Sequence, residues 1–79
     1  MKYRIVFYDS LCPHMRFVYG GGSFVHQKEK YAVFNSSKPK LFNSEAVARN
    51  AAEKLLESCV NVGDYFEVEE VNETKEKTT

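Results

Sequence analysis

The chain has 79 residues, with eleven Lys and Arg against eleven Asp and Glu. At 43% apolar and 14% aromatic it can pack one small core, which excludes a disordered chain and leaves no room for a second domain. No apolar run approaches the ~20 residues of a membrane-spanning helix, and the balanced charge argues against strong general nucleic-acid binding.

Lys2 to Tyr8 alternates as a strand, with Tyr3, Ile5 and Phe7 on one face and Lys2, Arg4, Val6 and Tyr8 on the other. Asp9 to His14, with Asp, Ser and Pro, is expected to break it. Arg16 to Tyr19 predicts a second strand, stopped by Gly20-Gly21-Gly22. Ser23 to His26 either continues that strand beyond a bulge or returns as a hairpin arm. Tyr31 to Phe34 predicts a further short strand, and Asn35 to Lys40 a polar loop.

The clearest element follows. Ser44 is a good N-cap, and Glu45 suits the positive end of a helix dipole. Ala48, Ala51, Ala52, Leu55, Leu56 and Cys59 recur at spacings of three and four, drawing one apolar stripe. Asn61 to Asp64 is expected to end the helix, with Gly63 as the breaker. Tyr65 to Val71 predicts the last strand, Phe66 and Val68 inward, Glu67 and Glu69 toward water. Asn72 to Thr79 carries no apolar residue and is expected to be a disordered tail. The expectation is a single α+β domain over residues 1–71: an antiparallel sheet of three to five strands in β-β-β-α-β order, one face covered by the helix. The opposite face would be bare.

The charges are split along the chain. Up to Lys54 there are nine bases against four acids; from Leu55 onward, two bases against seven acids. Such asymmetry suits an acidic or basic partner, and it also arises on an ordinary mixed surface. Cys12 and Cys59 lie far apart. No charged-then-apolar leader opens the printed sequence, so the expectation is the reducing cytoplasm and two free thiols.

Cys12, His14, His26 and Cys59 are the donor types of a tetrahedral zinc site, but only Cys12 and His14 have close spacing, and no metal or other cofactor is expected. A Cys–His nucleophilic pair lacks any surrounding signature, and no enzymatic activity is expected. The glycine triplet runs on into Ser23-Phe24-Val25 rather than into Gly-Lys-Ser/Thr and a helix, so it is no phosphate loop.

The stretch Tyr31 to Val71, a short apolar strand, Phe42-Asn43-Ser44 opening an Ala-rich helix, and the closing strand Phe66 to Val71, resembles the build of compact anti-CRISPR and related anti-defence proteins of bacteriophages and other mobile elements. The resemblance covers about half the chain and is one of architecture, so no functional residue is carried over from it. It implies a non-enzymatic protein that inhibits a host defence nuclease complex by occupying its surface.

Tyrosine and arginine anchor interfaces by joining large area to hydrogen bonding. The candidate partner-binding residues are accordingly Tyr8, Arg16, Tyr19 and His26, with Lys28, Lys30, Lys38 and Lys40 as a basic rim. Glu67, Glu69 and Glu70 form the alternative, acidic contact for a basic groove. Two other functions fit the same residues. A single-stranded nucleic-acid binder would use Arg4, Arg16, Lys28 and Lys30 among Tyr8, Tyr19, Phe24 and Tyr31. A self-associating domain, a homodimer for instance, would cover the bare face with its own copy.

Overall fold

The computed structural model describes residues 1–71; the tail expected from Asn72 to Thr79 lies outside the described residues. The elements are β1 (Lys2–Asp9), β2 (Cys12–His26), β3 (Glu29–Phe34), α1 (Glu45–Ser58) and β4 (Tyr65–Val71). The four strands form an antiparallel sheet in the order β3-β2-β1-β4. This is the expected α+β architecture, with the expected element order.

Alternation along β1 sends Tyr3, Ile5 and Phe7 toward α1. The pairings Phe7↔Phe17, Phe7↔Phe66 and Ile5↔Val68 put their cross-strand neighbours on the same side. Ile5, Phe7, Ala32, Ala48, Ala52, Leu55, Cys59 and Val62 make up the buried core. Ala48 and Ala52 are fully buried, so the helix lies close against the sheet. The Ser44 hydroxyl accepts from the N–H groups of Ala46 and Val47 at 3.2 and 3.5 Å, as its N-cap position predicts.

The helix stops earlier than its sequence suggests. It ends at Ser58, and Cys59 caps it with extended backbone while donating its N–H to the Leu55 carbonyl. Gly63 (φ +75°) therefore breaks no helix. Its absent side chain leaves room for β1, because a Cβ there would lie 2.2 Å from the Tyr8 carbonyl oxygen.

The second strand begins at Cys12 rather than Arg16, and only Ser10 and Leu11 separate it from β1. The Asp9 carboxylate accepts from the Leu11 N–H at 2.9 Å, the local bond by which aspartate nucleates tight turns. Nor do the glycines stop β2. Between the pairs Tyr19↔Phe34 and Ser23↔Ala32, β2 carries two residues more than β3, so Gly20 to Gly22 form a bulge. Gly21 and Gly22 reach φ +92° and +87°. The Tyr19 hydroxyl accepts from the Gly22 N–H, and the Tyr19 carbonyl from the Lys40 N–H, both at 2.9 Å. Tyr3 meanwhile exchanges both main-chain bonds with Phe42. Beyond the bulge β2 thus has β3 as its ladder partner and runs out as a two-stranded arm. Fifteen residues at ~3.3 Å each span roughly 50 Å, which accounts for the 45 Å long axis against 24 and 22 Å across.

The arm closes at Gln27-Lys28, between the paired His26 and Glu29. Both turn residues have positive φ, 52° and 69°, the requirement of a type I′ turn that Asn-Gly meets with least strain. Replacing Gln27-Lys28 by Asn-Gly is expected to raise stability by about 1–2 kcal/mol, read as a higher urea midpoint at unchanged slope.

The outer edge of β3 is occupied. The Asn61 side chain accepts from the Ala32 N–H at 2.8 Å and donates to the Ala32 carbonyl at 2.9 Å, and the Val60 N–H donates to the Lys30 carbonyl. One amide group there takes the place of a neighbouring strand.

Candidate interaction face

The side of the sheet away from α1 is not bare. Val6 belongs to it by alternation, yet it is fully buried. Its neighbours across the strands are Val18 and Glu67, and along β1 they are Arg4 and Tyr8. Long charged side chains lay apolar stems over such a surface while their heads stay wet. That is how this face closes over Val6.

The heads are tied together. Glu69 accepts from the Arg4 Nε at 2.9 Å through one carboxylate oxygen and from Arg16 through the other. Glu69 thus does not simply face water: its side chain is 28% exposed and bridges strands β1, β2 and β4. The Glu69 charge raises the pKa of Arg16 above its ordinary value. Beside them Tyr8 and Tyr65 stack, centroids 5.2 Å apart and planes 13° from parallel. Burial is the main cause that raises the Tyr8 pKa; Arg16 opposes it, and Glu67 and Glu69 add to it.

Four of the predicted partner-binding residues, Tyr8, Arg16, Glu67 and Glu69, therefore share one face. Tyr19 does not: it packs on the helix side against the core. Phe24, Tyr31, His26 and Glu29 fall on one face of the arm by register, and Val25 and Lys30 on the other; Lys28 sits in the turn. Lys40 lies beside the glycine bulge and over the Phe42 ring. Tyr65 belongs to the site although its sequence gave no sign of it. The signal was its place opposite Tyr8, which appears only once β4 is paired with β1.

Cys12 is exposed at the start of β2 and Cys59 is buried at the helix cap; both are free thiols. Among the described residues, no three His, Cys, Asp or Glu side chains come together as metal ligands. Among the described residues, no helix is long and apolar enough to cross a membrane.

At the C-terminal end of β1, next to the Tyr8–Tyr65 stack, the Asp64 carboxylate accepts from both the hydroxyl and the N–H of Ser10. These bonds, the hydroxyl's first, hold the Asp64 pKa below its ordinary 3.8. A depressed carboxylate contributes stability that is complete above its unfolded value and is lost as pH falls through the folded one. The stability lead of the native chain over Ser10→Ala is therefore expected to be constant above pH 4 or so and to shrink below it. Urea titrations at pH 7, 4 and 2.5, values chosen about that window, would measure this.

Compared with models of known families, with curated proteins and with solved structures, the chain has no match.

Proposed function

We propose that this chain is a non-catalytic binding protein that docks on a larger protein, in the manner of the phage inhibitors that block host defence nuclease complexes. What carries the reading is the tyrosine and arginine face opposite α1. Tyr8 stacks on Tyr65, and Arg4 and Arg16 are fixed by Glu69. Side chains already held in place lose little rotamer freedom on docking, and tyrosine and arginine dominate interface energetics.

The test is expression of the chain in cells with an active nuclease defence, followed by phage plating and co-elution with the purified complex. The native chain is expected to restore plating and to co-elute, and Tyr8→Ala with Arg16→Ala to lose both. Glu67→Lys is the informative acidic variant, because Glu69→Lys would set three cations together and disturb the sheet. Failure of the native chain to restore plating or to co-elute would refute the proposal.

A further inference from the structure

We infer that the β2–β3 arm grips a single-stranded nucleic acid, with a base against the Phe24–Tyr31 ring pair and phosphate on Lys28 in its turn. The two rings lie 5.4 Å apart and 13° from parallel, and Phe24 is 52% exposed. Val25 beside it is 70% exposed. Outstretched beyond the bulge, the Phe24 ring offers flat π surface to solvent, and neither ring of the pair packs into the core. Every base has a π face, so a ring pair of this kind binds single strands with little sequence preference.

Charge selects the same partner. Between Gly20 and Lys40 the sequence holds four lysines against Glu29 alone: Lys28 in the turn, Lys30 on the face of the arm away from the rings, and Lys38 and Lys40 in the segment after β3, a local excess of cations in a chain that is neutral overall. Glu29 is engaged by the Tyr31 hydroxyl at 3.2 Å. An acidic protein would satisfy the lysines equally well, and competition by polyglutamate separates it from a nucleic acid. The turn supplies a third observation. Gln27 and Lys28 both hold left-handed backbone that Asn-Gly would adopt more easily. Strain of this sort collects where a side chain is needed for function, and the side chain that Asn-Gly would remove is Lys28.

The chain contains no tryptophan, so Phe24→Trp introduces a single fluorescent reporter. Titrated with oligodeoxythymidylate and oligouridylate of about 15 nucleotides, within known site sizes, its emission is expected to be quenched at low salt and restored by added salt. By anisotropy with fluorescein-labelled oligonucleotides, Phe24→Ala is expected to weaken binding about tenfold. Lys28→Glu should weaken it and flatten its salt dependence, while Glu29→Gln should strengthen it. The Asn-Gly turn variant separates folding from binding: it should be more stable than the native chain and bind less well. Comparing deoxythymidylate with uridylate decides which sugar is preferred. Absence of binding to either strand at low salt would overturn the inference, as would binding insensitive to Phe24→Ala or competed equally by polyglutamate. Tyr8→Ala with Arg16→Ala leaves the arm intact and should still bind the oligonucleotides, so this result stands apart from that of the proposed protein interface.

Discussion

Gly63→Ala is expected to destabilise the domain by about 3 kcal/mol or more. Two costs combine. The backbone at Gly63 has φ +75°, where a side chain adds about 1–2 kcal/mol. The new Cβ would also stand 2.2 Å from the Tyr8 carbonyl oxygen and 2.8 Å from its carbon. Those atoms belong to a central strand and cannot swing aside as a side-chain tip can. Relief requires the loop to retreat, which breaks the 2.9 Å bond from the Asp64 N–H to that same carbonyl and draws Asp64 away from Ser10. In a thermal melt the loss is read as a fall of roughly 4–8 °C for each kcal/mol. A shift of only a degree or two would show that the loop yields at little cost.

Phe7→Ala is expected to cost about 3–5 kcal/mol. Phe7 is fully buried on β1, with the rings of Phe34 and Phe66 at centroid distances of 6.0 and 6.3 Å. It thus joins residues of β3 and β4, strands at opposite edges of the sheet. Deleting the ring removes apolar burial and leaves a cavity that the neighbouring strands cannot collapse into without losing register. Domains of this length have a total stability of about 4–12 kcal/mol, so the variant is expected to be substantially unfolded at 37 °C. Amide chemical-shift dispersion reports this directly; retained native dispersion would mean that the core repacks around the gap.

The helix and the succession of elements along the chain were legible in the sequence because they rest on local pattern, whereas the order of strands across the sheet was not. Ser44 with the stripe Ala48, Ala52, Leu55 and Cys59 admits one reading, and Tyr3, Ile5 and Phe7 fix the inner face of β1. What escaped depends on contacts between distant residues. Three glycines suit a stop and a bulge equally well, and the choice is made by Lys40 binding the Tyr19 carbonyl and by Phe42 taking the place beside Tyr3. Gly63 looks like a helix breaker until β1 is seen against it. The roof over Val6 needs Arg4, Arg16 and Glu69 on three neighbouring strands, which only the order β2-β1-β4 provides. The candidate face was read in the same uneven way. Alternation located Tyr8 and Arg16, whereas Tyr19 followed its aromatic neighbours into the core.

Asn61 has a bearing on how copies of this molecule behave when crowded. An open β-ribbon recruits further ribbons through unspent main-chain donors and acceptors, and growth in both directions is what builds a fibril. At Ala32 that recruitment is blocked by a single carboxamide. The opposite margin, β4, bears Glu67 and Glu70 beside the arginine-paired Glu69, and their like charges would oppose one another in an abutting duplicate. Among the described residues both outer margins of the four-stranded sheet are thus guarded, and the open margin is the β2 side of the arm beyond the bulge.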